Sequence, residues 1–355
     1  MASPATEPLS SSEARLDGLR AAIDARLADL LEPGCEVAFV NFPNIGNVGD
    51  SAIWLGARAA IGRAGVRVRY QCEPATYSRR RLAASVGERG TILVQGGGNL
   101  GDAYPNQQRV RERVLADFPR ARVIQLPQSV WFRSEDRAEA FRRLAESHPD
   151  FTLMVRDRPS LEWAAERVEL PLVLCPDLAF ALEPPLRLLP QCDLLWLMRS
   201  DGESRGDPLP AAAAGEERAD WRGRDLARLS GTDRLRLWQA ANRRIVGGME
   251  RDGRLGAWLS RAGAATFAPL ARHRLDAGAR LISRGRVVIT DRLHGHVLAL
   301  LLGIPHVVLD NANGKCRATW ESWTSGFPLA SWAEGPPQAQ ALARAMLDGL
   351  EEARR

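Results

Sequence analysis

Residues 287–296 read VVITDRLHGH, an apolar run that passes through a short polar turn into a leucine-rich segment ending before Gly303 and Pro305. The β-branched run predicts a buried strand, and Thr290 and Asp291 are residue types that favour the start of a helix. A buried strand followed at once by a helix is the repeating unit of parallel α/β sheets. This stretch therefore predicts an α/β fold with a parallel sheet.

The same alternation extends outward in both directions. Six apolar runs in the first half predict strands at Val37–Phe42, Val66–Cys72, Thr91–Gln95, Arg122–Leu126, Leu153–Arg156 and Leu172–Cys175. Helical patterns such as Ser51–Arg63 and Gln107–Phe118 lie between them. In the second half, strands are predicted at Leu194–Met198 and His306–Leu309. Strands that alternate with helices indicate doubly wound parallel sheets.

A break in this pattern divides the chain. The Pro-Pro pair at residues 184–185 interrupts the alternation, so we predict one α/β domain at residues 1–185 and a second at 190–333. The polar stretch Asp201–Asp220 is too long for a routine connection and is typical of a lid, a binding loop or an insertion. A last helical pattern within 334–355 is expected to pack back on the first domain.

Composition excludes several classes of protein. The 355 residues are 45% hydrophobic and 26% charged, which is typical of a globular chain. No apolar run is long enough to span a membrane and no signal-peptide pattern opens the chain, so a cytoplasmic location is expected. The five cysteines form no CxxC pair, which argues against a disulfide framework or a zinc site. The net charge of +5 is spread along the chain, so no nucleic-acid partner is expected.

The basic residues are almost all arginine. Of 48 basic side chains, only Lys315 is lysine. An ammonium group is more compact than a guanidinium and loses its proton more readily, so Lys315 is a candidate functional residue. The alternative is drift under a codon bias that favours arginine.

A short pattern, GN-x-GD, occurs twice, at Gly46–Asp50 and Gly98–Asp102. Each copy follows a predicted strand and precedes a helical stretch, where glycines let a ligand approach the backbone and a helix N-terminus favours anions. We therefore select Asn47, Gly98 and Asn99 as candidate loop residues. The alternative is that the pattern only forms turns and helix caps.

Three cationic side chains are predicted to leave the carboxyl ends of parallel strands. Arg199 follows one strand, Arg292 lies at the first turn of the helix after the next, and Lys315 lies in the loop after a third. Because ligands bind at this edge of an open α/β sheet, the three cations predict one anion pocket. Arg199 as an ordinary exposed strand-end residue is the alternative for that position.

Histidine adds a proton-carrying group to this pocket. His294 lies in the same first helical turn as Arg292 and can exchange a proton near neutral pH. Residues two apart do not share a helix face, so His294 and His296 are not expected to bind a metal together. His296 is interpreted as structural, and a core or capping role is the alternative for His294.

Together these residues resemble the polysaccharide pyruvyl transferase family, from about Val37 to Lys315. The matching segments are the two GN-x-GD loops, Gln125–Ser129, Arg156–Arg158, Pro176-Asp177, the Thr-Asp-Arg-Leu-His segment at 290–294 and the Asp-Asn…Gly-Lys loop at 310–315. The resemblance implies two facing α/β domains like those of a GT-B glycosyltransferase. The long stretch at 201–220 is not part of the family's core pattern, so the acceptor's identity is not carried over.

The resemblance also implies the chemistry. Pyruvate would pass from phosphoenolpyruvate to two hydroxyls of a sugar in an exopolysaccharide or cell-surface glycan precursor, giving a ketal and phosphate. Arg199, Arg292 and Lys315 would bind phosphoenolpyruvate, and His294 would be the acid. Asp50 or Asp102 would be the base or hold a sugar hydroxyl, with Asn47, Gly98, Asn99 and Gln128 on the acceptor side or in the loops. No cofactor or metal is expected beyond phosphoenolpyruvate as co-substrate.

Two other functions fit parts of the pattern. A GT-B-type glycosyltransferase would also use cations and a helix N-terminus, for the phosphates of a nucleotide sugar. A non-catalytic glycan-binding subunit is disfavoured, because a neutral sugar needs neither the cations nor the histidine. The sequence leaves open whether the acceptor is lipid-linked and whether the protein contacts the inner membrane peripherally.

Overall fold

The computed structural model describes residues 7–44, 46–221 and 254–352, which form two parallel sheets with flanking helices. The seven strands of the first sheet are β1 Glu36–Val40, β2 Arg67–Cys72, β3 Thr91–Val94, β4 Gly97–Gly101, β5 Arg122–Trp131, β6 Phe151–Val155 and β7 Leu172–Leu174. The five strands of the second are β8 Cys192–Leu197, β9 Glu216–Ala219, β10 Gly285–Thr290, β11 His306–Val308 and β12 Ala330–Trp332. All strand pairs among the described residues are parallel, which confirms the predicted fold class.

The helices connect these strands. They are α1 Glu7–Leu30, α2 Val48–Arg63, α3 Arg79–Val86, α4 Pro105–Asp117, α5 Glu135–Glu146, α6 Arg158–Arg167, α7 Arg254–Ala265, α8 Phe267–Ile282, α9 Leu293–Leu301, α10 Lys315–Thr319 and α11 Pro336–Glu352. No helix in the described ranges is both long and apolar enough to cross a membrane.

Strand order fixes where a ligand can bind. The first sheet runs β2-β1-β3-β5-β6-β7, with β4 paired to β5, and the second runs β12-β11-β10-β8-β9. The order therefore reverses between β1 and β3 in the first sheet, and between β8 and β10 in the second. Ligands of open α/β sheets bind beyond the carboxyl ends of strands at such reversals. The segments after these four strands carry most of the predicted site residues.

Apolar packing joins the two sheets closely. One hydrophobic cluster contains Phe39 and Trp54 from the first half and Leu195, Leu275 and Leu298 from the second. The rings of Phe42, just after β1, and Phe267, at the start of α8, stack with their centroids 4.2 Å apart. Helix α2 packs on α8, where a Cβ on Gly278 would come within 2.4 Å of Val48 Cγ1. The sheets therefore share one core.

The structure adds to one local expectation and corrects another. The second GN-x-GD copy precedes a helix as expected, since α4 begins at Pro105, but residues 97–101 also form strand β4 beside a β5 that extends to Trp131. The long stretch 201–220 is not all loop, since its end forms β9 beside β8.

The position of the last helix also differs from the expectation. Helix α11 packs on the second sheet rather than on the first domain, with Ala339 and Ala343 in one cluster with Leu194 and Val287. Strand residues alternate between faces, so Leu194 and Val287 point away from the core that the second sheet shares with the first. Helix α11 covers that otherwise exposed apolar face.

Candidate active site

A cleft opens where the carboxyl ends of the two sheets face each other. The described residues that line it are Pro43, Asn47, Asp50, Ile53, Gly98, Asn99, Tyr104, Gln107, Arg156, Arg199, Glu203, Trp221, Arg292, Leu293, His294, Asn311 and Lys315. The cleft thus brings together eight of the ten predicted site residues, from segments as far apart in sequence as Asn47 and Lys315. Asp102 and Gln128 do not line it.

Arg292 lies at the N-cap position of α9 with only 2% of its surface exposed. Its guanidinium donates to the Asp220 carboxylate, lies 3.9 Å from Asp201 Oδ2, and sits 5.5 Å from the ring centroid of Trp221. Burial lowers the pKa of Arg292 from its ordinary value, while Asp220 opposes this shift. An arginine stays protonated even so, because its pKa starts above 12.

Arg199 follows β8 and is held by two acidic residues of the stretch 201–220. Its Nε donates to Asp201 Oδ1 at 2.8 Å, and its Nη2 lies 2.8 Å from Glu203 Oε2. Its backbone N–H donates to Asp291 Oδ1 at 2.8 Å. Burial raises the pKa of Asp291 to about 6, although that hydrogen bond and the Arg292 and Arg199 charges oppose the shift.

Lys315 opens α10 and reaches into the cleft. Its Nζ donates to Glu203 Oε1 at 3.1 Å and lies 5.8 Å from the ring centroid of Tyr104. The Tyr104 hydroxyl donates to the same Glu203 oxygen at 2.6 Å. Burial lowers the pKa of Lys315, and the Glu203 carboxylate opposes this shift. Glu203 therefore neutralises both Lys315 and Arg199, as an anionic ligand would.

His294 faces across the cleft to helix α2. A Cβ on Gly49 would lie 2.5 Å from His294 Nδ1, so the ring packs directly on the backbone of α2. His294 Nε2 lies 3.5 Å from Asp177 Oδ2, which also accepts from Arg156 Nη1 at 2.6 Å. Burial disfavours a charge on Asp177, but His294 and Arg156 outweigh it and hold the pKa of Asp177 well below its ordinary value. A buried carboxylate thus orients the imidazole.

Asp50 and Asn47 occupy the N-terminus of α2. Asn47 Oδ1 accepts from the backbone N–H of Gly49 at 3.1 Å, which caps the helix, and its Nδ2 donates to Asp50 Oδ2 at 2.6 Å. Burial raises the pKa of Asp50, while His294 and the Asn47 hydrogen bond oppose the shift. A carboxylate with a raised pKa is a stronger base. Asn47 therefore both caps the helix and orients Asp50.

The cleft residues that come from segments of the first sheet form one side of the cleft, called here the first-sheet wall. On this wall, amide groups support Asn99. Asn99 donates its backbone N–H to Gln128 Oε1 at 3.1 Å, and its Oδ1 accepts from Gln128 Nε2 at 2.8 Å and from Arg111 Nη2 at 2.9 Å. A Cβ on Gly98 would lie 2.9 Å from Arg156 Nη2 and 3.4 Å from Lys315 Nζ. Gln128 thus holds the loop from behind, and glycine at 98 leaves room for both cations.

Asp102 lies elsewhere than expected. Its Oδ2 accepts from the backbone N–H groups of Arg133 and Ser134 at 2.9 Å, just before α5. Because β4 carries the chain past the cleft before the turn at Asp102, the second GN-x-GD copy is not equivalent to the first. The structure therefore does not place Asp102 where a base would act.

His296 points into the core. Its Nδ1 lies 2.7 Å from His306 Nε2 and its Nε2 lies 2.8 Å from Thr324 Oγ1, with His296 fully buried. Burial lowers the pKa of both imidazoles, that of His306 to about 4. Both ring nitrogens of His296 therefore have partners on the side away from His294.

A match to a family model then connects this geometry with known proteins. The model described as polysaccharide pyruvyl transferase matches residues 47–313. The chain belongs to the polysaccharide pyruvyl transferase family. The matched range runs from the first capping asparagine of the cleft to the loop before Lys315, so it spans nearly all of the lining residues.

Individual relatives agree with the family assignment. The chain is 30% identical to Pyruvyl transferase 1 of Schizosaccharomyces pombe over 315 residues, which cover 83% of this chain and 71% of the relative. It is 29% identical over 310 residues to a Bacillus subtilis protein named provisionally as the pyruvyl transferase EpsO, with 85% and 89% covered. The protein is thus an enzyme of the pyruvyl transferase class.

A solved structure agrees on the fold. The crystal structure of a functionally uncharacterized protein from Klebsiella pneumoniae superposes with a TM-score of 0.56, covering 89% of this chain and 99% of that one at 17% identity. At this identity the likeness concerns the architecture alone. It supports the arrangement of two parallel sheets described above.

Several cleft residues were missed in the sequence. Tyr104 and Trp221 follow β4 and β9, two strands that the sequence does not predict, and Glu203 lies in a long stretch without periodicity, so nothing local signals their place in the cleft. Arg156 and Asp177 belong to segments that match the family pattern, but only the fold brings them together behind His294.

Proposed function

We propose that this pyruvyl transferase takes pyruvate from phosphoenolpyruvate and attaches it to two hydroxyls of one sugar as a cyclic ketal, releasing phosphate. The observation that carries the proposal is the convergence of Arg199, Arg292 and Lys315 beside His294 in one cleft. A small ligand with a carboxylate and a phosphate needs several cations within a short distance. The acceptor in this proposal is a saccharide of an exopolysaccharide or cell-surface glycan precursor.

Binding exchanges one set of anions for another. The carboxylates of Asp201, Glu203 and Asp220 form ion pairs with the three cations, namely Arg199, Lys315 and Arg292 in that order. Phosphoenolpyruvate replaces those carboxylates, with forked contacts from Arg292 and Arg199 and a point contact from Lys315. The flexible ammonium stem follows the phosphate as it leaves. The protein thus keeps its cations neutralised until the donor arrives.

Ketal formation requires three proton movements. The first sugar hydroxyl attacks C2 and gives its proton to a base, while C3 takes a proton from His294 and becomes a methyl group. Phosphate then leaves C2 with the bonding electron pair. The second hydroxyl attacks the resulting oxocarbenium carbon and gives its proton to the deprotonated His294 ring, which restores the acid. Asp50, which lines the cleft with His294 and has a raised pKa, is the base in this proposal, and Asp177 lies beside the His294 ring.

The acceptor binds on the first-sheet wall in this proposal. Asn47 and Asn99 line the cleft there, and amide groups both donate to and accept from sugar hydroxyls. The alternative, a glycosyltransferase that uses a nucleotide sugar, is not favoured, because the family and both relatives are named as pyruvyl transferases.

No metal ion or further cofactor enters the proposed reaction, since guanidinium and ammonium groups supply the positive charge. Activity should therefore persist in EDTA. Loss of activity in EDTA, restored by one divalent ion, would contradict this part of the proposal.

Phosphate release tests the whole proposal. Purified enzyme with phosphoenolpyruvate and a panel of galactosides, glucosides and mannosides should release phosphate with at least one acceptor class, and the sugar product should gain the mass of a pyruvate ketal. Thermal shift with phosphoenolpyruvate, compared with uridine and guanosine diphosphate sugars, is the control for the alternative. Stabilisation by a nucleotide sugar alone, with no phosphate release, would overturn the proposal.

A further inference from the structure

A second cationic groove lies at the edge strand β2, with no residue in common with the cleft lining. Its volume is about 660 Å3, and its described lining residues come from β2 and helices α2, α3, α7 and α8. Four of them are arginines, namely Arg58, Arg69, Arg81 and Arg261. None of the described lining residues is acidic.

Two of these arginines form no ion pair with any carboxylate in the described part of the chain. Arg58 Nη1 donates to the neutral Gln71 Oε1 at 3.1 Å, and Arg81 Nη2 donates to the carbonyl of Thr76 at 3.3 Å. The Nε of Arg81 is buried and makes no hydrogen bond with the described residues. Arg69, by contrast, lies 3.5 Å from Glu36, and both of those side chains are exposed. Arg58 and Arg81 therefore carry positive charge into the groove that nothing in the described structure offsets.

The rest of the described lining is of two kinds. Tyr70, Gln71 and Ser85 are polar, whereas one apolar part, called here the alanine floor, consists of Val68, Ala84, Ala264, Ala265 and Ala268. Alanines offer no hydrogen-bonding side chain, so this part of the groove suits a hydrocarbon rather than a sugar. The groove thus combines an apolar part with two arginines that form no ion pair with a described acidic residue.

We propose that this groove binds a diphosphate ester, with its oxyanions on Arg58 and Arg81 and an apolar substituent over the alanine floor. The several oxygens of a diphosphate can accept charge-assisted hydrogen bonds from two guanidinium groups, and such bonds are among the strong ones. Arg58 lies on the same helix as Asp50, about 12 Å further along its axis at 1.5 Å per residue. This binding does not rest on the proposed pyruvyl transfer.

Calorimetric titration of the full chain tests the groove, with inorganic pyrophosphate and farnesyl diphosphate as separate probes. Farnesyl diphosphate should bind more tightly than pyrophosphate. The double variant Arg58→Gln/Arg81→Gln should weaken farnesyl diphosphate binding by tenfold or more, the loss expected from two charged hydrogen-bonding groups. The matched control is Arg79→Gln, because Arg79 lies on α3 beside Arg81 but pairs with Glu88 outside the groove.

The outcomes separate the groove from the cleft. Equal affinity for pyrophosphate and farnesyl diphosphate would overturn the claim that the alanine floor binds an apolar substituent. Unchanged farnesyl diphosphate binding in a folded double variant would overturn the whole proposal. If the double variant melts early, the single variants Arg58→Gln and Arg81→Gln are titrated instead, and each should weaken binding at least threefold. Phosphate release with a free soluble sugar should equal that of the wild type in these variants, so failure here would leave the proposed function standing.

Discussion

The two walls of the cleft carry different chemistry. On the first-sheet wall, the amide side chains of Asn47 and Asn99 lie beside the Asp50 carboxyl, and the buried charges of Arg156 and Asp177 pair with each other. On the second-sheet wall, Arg199, Arg292 and Lys315 face the carboxylates of the stretch 201–220. Neutral donors and acceptors suit hydroxyls, whereas cations suit an oxyanion. Under the proposed function, this difference assigns the sugar acceptor to the first-sheet wall and the phosphoenolpyruvate donor to the second-sheet wall.

The largest effect is expected at His294, the proposed general acid. His294→Gln should lower turnover by roughly 10²–10⁴-fold, the usual range for a general acid, with little change in the KM for phosphoenolpyruvate. Steady-state phosphate release measures both constants. A loss of turnover below tenfold would make His294 a positioning residue and leave the acid to another group.

A strong effect is also expected on the charged wall. Arg292→Lys keeps the charge but loses the fork, so the KM for phosphoenolpyruvate should rise by roughly tenfold to a hundredfold, the value of one or two charge-assisted hydrogen bonds. The matched control is Arg317→Lys, since Arg317 is an exposed arginine paired with Glu334. An unchanged KM in folded Arg292→Lys enzyme would remove Arg292 from the donor site.

Lys315 tests whether shape matters as well as charge. Lys315→Arg should lower turnover about tenfold, because a planar guanidinium cannot follow a departing phosphate as an ammonium can. Lys315→Ala should be at least as harmful, and neither variant should lower the melting temperature much, since the side chain faces the cleft. A fully active Lys315→Arg enzyme would mean that the single lysine reflects codon usage.

A smaller effect of opposite sign is expected at Glu203. Glu203→Gln removes the carboxylate that holds both Lys315 and Arg199, so the KM for phosphoenolpyruvate should fall by about threefold to tenfold, within the range of one partly buried charge pair. The control is Glu321→Gln, which removes an exposed carboxylate outside the cleft. A raised KM would mean that Glu203 supports donor binding instead of competing with it.

The smallest effect concerns stability and pH. The pKa of Asp291 is raised to about 6, so the folded state favours the protonated carboxyl. That stabilisation is complete below the unfolded pKa near 3.9 and is lost as pH rises through 6. Asp291→Asn should therefore raise the melting temperature at pH 8, with a gain in the free energy of unfolding of at most about 3 kcal/mol, and should raise it much less at pH 4.

The control for this pH dependence is Asp348→Asn, because Asp348 is exposed on α11. Its melting temperature should follow that of the wild type at both values of pH. An equal gain for Asp291→Asn at pH 4 and pH 8 would contradict the raised pKa.

The sequence predicted the parallel sheets because their strands are buried on both faces and read as apolar runs such as Val287–Ile289. It also predicted Arg199, Arg292 and Lys315 as one pocket, because carboxyl ends of parallel strands meet at one edge. It could not place Asp102, since β4 has too many glycines to read as a strand.

Glu203 and Trp221 were beyond sequence reasoning for another reason. Both residues belong to a long connection that tertiary contacts hold at the cleft, such as the 2.6 Å hydrogen bond from the Tyr104 hydroxyl to Glu203. A long connection carries no periodic pattern from which these contacts could be predicted. Helix α11 was assigned to the wrong surface, because an amphipathic pattern shows that a face is buried but not against which sheet.

The packing of α2 against α8 has a consequence for how the enzyme cycles. Hinge closure of two domains needs an interface that can open, but here the sheets share one core and the glycine contact at Gly278 leaves no space between the helices. The scaffold is therefore expected to stay rigid through turnover, and the part of the connection before β9, whose Asp201 and Glu203 pair with Arg199 and Lys315, is the part expected to move. Entry of donor and exit of phosphate would then be timed by that one connection.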